Sequence, residues 1–206
     1  MRIFKSLFFA TLLFWASLAH ADKGYTLVSP PQPTESGKKI EVLEFFYYGC
    51  PHCYHLQRYL DPWLKTLPKD VEFRYVPTIF NDQWAKLAKT YYALDVIGKE
   101  PALHGAVYKA VQLDNIDLGD ENTLLDWAVK QGVDRAKLAA AYSSFSAQID
   151  MNKSKQMTRS YGIMGTPSLV VDGKYLTSPE LTQSLPGTIA ELDKLIQKAR
   201  AERARH

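Results

Sequence analysis

The sequence predicts an α/β protein in which an all-helical segment interrupts a sheet-forming chain. Three observations carry the prediction. Residues 39–48 hold a nearly continuous apolar run through Ile40, Val42, Leu43, Phe45 and Phe46, the pattern of a buried strand. Residues 71–76 alternate Val, Phe and Tyr with Glu and Arg, and strand character returns at Ser168-Leu169-Val170-Val171. Between them, from 81 to about 159, the apolar spacing turns helical. One sheet must then be assembled from both sides of the helical segment. This divides the chain into a sheet-bearing domain, 22–82 with 160–206, and an inserted helical domain, 83–159.

The elements follow in order. Residues 1–21 read as a cleaved signal peptide: Arg2 and Lys5 lead an apolar run that ends at the small-x-small site Ala19-His20-Ala21. The run is interrupted by Thr11 and Ser17 and is too short for a membrane span of ~20 residues. Residues 22–38, with Ser29-Pro30-Pro31-Gln32-Pro33 and Gly37, suit an extended arm. Gly49 ends the first strand, Cys50 takes a helix N-cap position, and Pro51 takes N1, where its missing N–H costs nothing. That helix runs to about Tyr59, and Asp61-Pro62 predicts a kink or a restart. In the insertion, Trp84, Leu87, Ala88, Tyr91 and Tyr92 form one apolar stripe behind an Asn81 cap and ahead of Gly98. Further helices start near Pro101, Asp120 and Asp134, and the last runs from about Ser146 to Gly162. Asp172-Gly173 turns the returning strand into Lys174-Tyr175-Leu176 as a hairpin, and a final helix begins near Pro186.

Charge and cysteine count narrow the chemistry. Loss of Arg2 and Lys5 lowers the formal charge from +3 to about +1, a balance that predicts no nucleic-acid partner. The basic tail, 198–205, suits a helix C-terminus, where cations oppose the macrodipole. Only two cysteines occur, Cys50 and Cys53. An exported protein that uses disulfides as a framework spreads them along the chain. A bridge across three bonds of sequence restrains the unfolded chain little, so it is a poor staple. The pair therefore points to redox chemistry, with a redox-active disulfide in place of any cofactor. Cys-x-x-Cys after an apolar strand and at a helix start is a thioredoxin-like arrangement. The helix start favours thiolate at Cys50 and buries Cys53 one turn deeper. A haem attachment site would need His where Tyr54 stands. A zinc site would need roughly four ligands, and only His52 and His55 lie near the cysteines, so no metal is expected.

The segment from Leu43 to Tyr54, reading LEFFYYGCPHCY, closely resembles the active-site segment of the DsbA family of periplasmic dithiol oxidases. Gly162-Ile163-Met164-Gly165-Thr166-Pro167 resembles the family's second signature, a loop carrying a cis-proline. The resemblance implies a thioredoxin-like fold with a helical insertion and a monomeric, periplasmic thiol:disulfide oxidoreductase. Its expected partners are unfolded or partly folded exported proteins with reduced cysteines, and a DsbB-like membrane quinone reductase that reoxidises it. Cys50 and Cys53 are then catalytic, and His52 stabilises the Cys50 thiolate. Pro51, Thr166 and Pro167 support the site, with the Thr166 backbone pairing to substrate as an added strand. Thr166 departs from the valine of the best-known member, which bears on redox poise and substrate release.

Glu44 keeps two readings. It is either half of an ion pair, with Arg74 on the next strand as a candidate, or the buried acid that the resemblance implies, managing the proton of Cys53. His55 reads as a surface or groove residue. Two other functions compete: a disulfide isomerase or reductase, whose family versions add an N-terminal dimerisation domain that 22–38 is too short to form, and a non-enzymatic peptide-binding chaperone, motivated by the aromatic content.

Overall fold

A computed structural model describes residues 24–205. Residues 1–21, read from the sequence as a cleaved signal peptide, lie outside the described residues. Five strands form one sheet: β1 (Thr26–Leu27), β2 (Ile40–Phe46), β3 (Val71–Pro77), β4 (Ser168–Val171) and β5 (Tyr175–Thr177), in the order β1-β5-β4-β2-β3. The apolar run of β2 is wholly buried because β2 is an inner strand, parallel to β3 on one side and antiparallel to β4 on the other. The sheet thus joins strands from both ends of the chain, as the interrupted pattern requires.

Side chains alternate across β2. Ile40 and Val42 pack with Leu56, Leu60 and Trp63 of α1 (Pro51–Leu64) and with Leu192, Leu195 and Ile196 of the last helix. Leu43 and Phe45 face the other way, into Val28, Val76, Tyr161, Ile163 and Val170. Phe46, at the end of β2, reaches a third cluster made mainly by the helical segment.

That segment is five helices in succession: α2 (Asp82–Val96), α3 (Glu100–Gln112), α4 (Glu121–Lys130), α5 (Arg135–Tyr142) and α6 (Phe145–Ser160). Their starts are set by local chemistry. The side chain of Asn81 accepts from the N–H groups of Gln83 and Trp84, and those of Asp120, Asp134 and Ser144 accept from Thr123, Lys137 and Ala147.

Two features differ from the sequence reading. The helix does not stop or restart at Asp61-Pro62: α1 continues to Leu64 with Pro62 inside it. Pro62 lies on the exposed side while Trp63 is buried and donates to Asp193 at 2.8 Å, so tertiary packing outweighs the lost backbone bond. The proline-rich arm is not wholly irregular either, since Thr26 and Leu27 form β1 and pair with β5; Ser29-Pro30 within it is a cis peptide, and Thr166-Pro167 is cis as the resemblance implies. The β4–β5 turn is as expected: Asp172 and Gly173 both have positive φ, and Lys174 N–H donates to the Val171 carbonyl. A Cβ on Gly173 would come within 2.0 Å of the Gln32 carbonyl oxygen, so only glycine fits there. A short helix, α7 (Pro179–Thr182), precedes α8 (Leu185–Arg203), which ends in the basic tail.

Candidate active site

Both cysteines are free thiols at the start of α1. Cys50 is the N-cap, in extended backbone, and Pro51 follows at N1. The cap makes no side-chain hydrogen bond, so the unpaired N–H groups of the first turn remain for its sulfur. Cys53 falls on the inward stripe of α1 with Leu56, Leu60 and Trp63 and is fully buried.

The two thiols are driven in opposite directions. The pKa of Cys50 is lowered to about 5, chiefly by a hydrogen bond from the Cys53 thiol, with help from the Thr166 side chain and the backbone N–H groups of Cys53 and His52. Partial burial opposes that shift. Burial pushes Cys53 well above its ordinary value, and the same bond to Cys50 adds to the rise. As a thiol, Cys50 donates to the Thr166 carbonyl at 3.3 Å, which places the first cysteine against the cis-proline loop across 116 residues of sequence.

Glu44 lies beneath this pair, fully buried, with Oε1 unpartnered among the described residues. Burial raises its pKa to about 8, against the lowering effect of Gln57. Arg74 is not its partner. In the parallel β2–β3 register Arg74 stands beside Leu43 and Glu44 beside Tyr75, so the guanidinium is on the opposite face of the sheet. Arg74 pairs instead with Glu41 at 2.8 Å and Glu35 at 3.0 Å. What reaches Glu44 is an uncharged chain: Tyr75 Oη donates to Gln57 Oε1 at 3.1 Å, and Gln57 Nε2 faces Glu44 Oε2 at 3.5 Å.

Thus Cys50, Cys53, Pro51, Glu44, Thr166 and Pro167 converge. His52 is exposed on the rim of a groove of about 650 Å³ that Met164, Thr166, Pro167 and Leu181 also line. His55 is exposed beside a separate hollow with Arg58 and Tyr108. Gln57, Tyr75 and Gln112 were not singled out by the sequence. An amide or a phenol carries no motif, and their placement depends on contacts made across the fold. Among the described residues, no three His, Cys, Asp or Glu side chains are grouped to hold a metal ion, and no helix is long and apolar enough to cross a membrane.

A buried thiol and an acidic thiol side by side, at a helix start on a sheet of this topology, define a thiol:disulfide oxidoreductase with a thioredoxin-like fold and a helical segment between its strands. Comparison with known proteins makes the assignment particular. Residues 69–185 match the model of the DSBA-like thioredoxin domain family. The chain is 38% identical over 193 residues to the thiol:disulfide interchange protein DsbA of Bordetella pertussis and 35% identical over 181 residues to that of Pseudomonas aeruginosa. These alignments cover 93% and 88% of this chain, and 92% and 86% of the relatives. The crystal structure of Pseudomonas aeruginosa DsbA superposes with a TM-score of 0.85 at 34% identity, over 88% of this chain and 95% of that one. Reduced DsbA1 from Neisseria meningitidis gives 0.79 at 29%, over 88% and 95%. The chain belongs to the DsbA family.

Proposed function

We propose that the protein is a periplasmic dithiol oxidase, exported by its cleaved signal peptide, that introduces disulfide bonds into exported proteins through a mixed disulfide at Cys50. The observation that carries this is the unequal placing of the two sulfurs: Cys50 at the helix start against Thr166, where thiolate is favoured, and Cys53 fully buried, where it is not. A sulfur that leaves as a stable thiolate makes the reduced enzyme the favoured product, and that makes an oxidant.

The reaction starts from the Cys50–Cys53 disulfide. A substrate thiolate attacks Sγ of Cys50, the bond to Cys53 breaks, and Cys53 departs with the electron pair. Glu44, protonated below about 8 and a buried electrostatic neighbour of Cys53, gives that thiolate its proton. A second substrate thiolate then attacks the substrate sulfur of the mixed disulfide, and Cys50 leaves as thiolate. Two electrons have passed from the substrate dithiol to the enzyme, and a DsbB-like membrane quinone reductase removes them.

His52, at the groove rim, supplies a hydrogen bond or a positive charge to the Cys50 thiolate and so stabilises the reduced form. The groove takes the substrate strand, whose backbone pairs with Thr166, and Pro51 and Pro167 hold the two loops that flank the sulfur. The protein acts as a monomer, uses no cofactor beyond its own disulfide, and divides into the sheet-bearing domain of 22–82 and 160–206 and the helical domain of 83–159.

Equilibration with glutathione, quantifying the Cys50–Cys53 couple, tests the direction of flow. The expected result is an oxidising potential and complete loss of oxidation in Cys50→Ser. A potential as reducing as thioredoxin's, ~−270 mV, would falsify the oxidase assignment and favour a reductase.

A further inference from the structure

The residues that lead into Cys50 are gripped by the helical segment at successive positions. The ring of Tyr47 stacks on that of Trp84 in α2, with centroids 3.9 Å apart and planes 13° from parallel. Tyr48 is held at both ends by α3. Its hydroxyl lies 3.0 Å from His104 Nδ1 and 3.4 Å from Glu100 Oε1, and its carbonyl accepts from Gln112 Nε2 at 2.7 Å. Gly49 then passes so close to the Tyr47 ring that a Cβ would meet it at 2.3 Å. Cys50 N–H closes the turn by donating to the Tyr47 carbonyl at 2.9 Å.

The exchange chemistry uses none of Trp84, Glu100, His104 or Gln112. Yet Glu100 and His104 are buried, 2.5 Å apart, inside a cluster formed by Phe46, Tyr75, Tyr91 and Tyr108. Burying a carboxylate and an imidazole is costly unless they are paired, and here the pair is also an anchor for a hydroxyl. His104 and Gln112 are eight positions apart on one helix, roughly 12 Å of rigid rod, so the two ends of Tyr48 are fixed against a single body.

We propose that the helical segment sets the reactivity of Cys50, with Trp84, Gln112 and the Glu100–His104 pair as positioning residues that hold 47–49 and so aim the sulfur between the first turn of α1 and Thr166. Hydrogen bonds to a thiolate are short-ranged, so a loop free to drift loses them part of the time. The inference rests on Cys50 being the reacting thiol. Its test reads the Cys50 titration directly, so it stands or falls separately from the direction of electron flow.

Gln112 is partly exposed at the end of α3, where substitution leaves the core intact. In Gln112→Met the donor is lost at constant side-chain length. The ultraviolet titration of the reduced protein should then show the Cys50 midpoint raised by about half to one pH unit, the weight of one hydrogen bond. Gln112→Lys, which keeps a donor of similar reach, should restore it. Trp84→Leu, which removes the stack on Tyr47, should raise the midpoint independently. An unchanged midpoint in both Gln112→Met and Trp84→Leu, whatever happens to their melting temperatures, would overturn the proposal. So would a shift in Gln112→Met that Gln112→Lys leaves in place.

Discussion

Glu44 offers the sharpest test, because its environment converts into a stability that depends on pH. It is fully buried, and desolvation is the main reason its pKa stands at about 8. An unfolded Glu releases its proton near ~4.3. Between those values the unfolded chain has lost a proton that the native protein still holds, so stability falls as pH rises. The native state is uncompromised by this group below the unfolded value, and the loss is complete above about 8. At about 1.4 kcal/mol per pH unit, the loss between pH ~4.5 and pH ~7 is about 3 kcal/mol, a large part of a domain's total stability.

Glu44→Gln removes the titration while keeping size and the contact with Gln57. The assay is urea unfolding of the oxidised protein across this pH range, with neither cysteine free to titrate; the disulfide removes the lesser raising influence of the Cys50 charge and leaves desolvation, the main one. Other titrating groups act in both proteins and cancel in the difference. The variant should gain on the parent by about 3 kcal/mol from the acid end to neutrality, on top of a constant offset from the new buried amide. Parallel curves for the two proteins would show that Glu44 is ionised in the folded state at neutral pH and would refute the proton-donor role.

Three further outcomes are expected. Because the Cys50 pKa is lowered to about 5, its thiolate supports the reduced fold above the unfolded thiol value of ~8.5, and that support is lost as pH falls through about 5. After discounting for partial exposure, the reduced protein should exceed the oxidised one by roughly 2 kcal/mol at neutral pH, and calorimetry showing the oxidised form melting higher would reverse the argument. Thr166→Val deletes a hydrogen-bonding side chain beside Cys50, so the Cys50 midpoint should rise by about half a pH unit in an ultraviolet titration; no movement would remove Thr166 from the thiolate's support. In Cys53→Ala no internal disulfide can form, and the thiol that expels a partner from Cys50 in the reverse direction is gone, so intact mass measurement after mixing the reduced variant with oxidised glutathione should find long-lived mixed disulfides on Cys50. Trapping that is as strong in the parent would argue against Cys53 as the resolving group.

The strand β2, the helix start at Cys50 and the caps at Asn81, Asp120 and Asp134 were legible because each is decided by neighbours in sequence. The interruption of the sheet was legible for a different reason: the apolar period changes at 81 and changes back at 168. What escaped depends on partners far along the chain. Two exposed residues, Thr26 and Leu27, become a strand only because β5 offers an edge. Pro62 reads as a breaker until Trp63 is seen buried against α8. Arg74 was a plausible partner for Glu44 by strand order, and a register offset of one residue places it on the other face. Tyr75 and Gln57, which do approach Glu44, come from a second strand and a helix, and nothing local marks them.

The spacing of the two cysteines acquires a physical reason from these contacts. Three positions along α1 carry the chain from a cap outside the helix, rich in unpaired N–H groups, to the stripe that Leu56 and Leu60 bury. The Cys53 thiol donates to Cys50, so a single hydrogen bond lowers one pKa and raises the other. The asymmetry is therefore a property of the pair. A change that separates the sulfurs without altering burial should move both titrations toward the ordinary thiol value, Cys50 upward and Cys53 downward. A change at Glu44 should leave Cys50 less affected than Cys53, since Glu44 is still protonated and uncharged where Cys50 titrates, whereas its charge opposes ionisation of Cys53. The two kinds of perturbation can thus be told apart by which thiol moves.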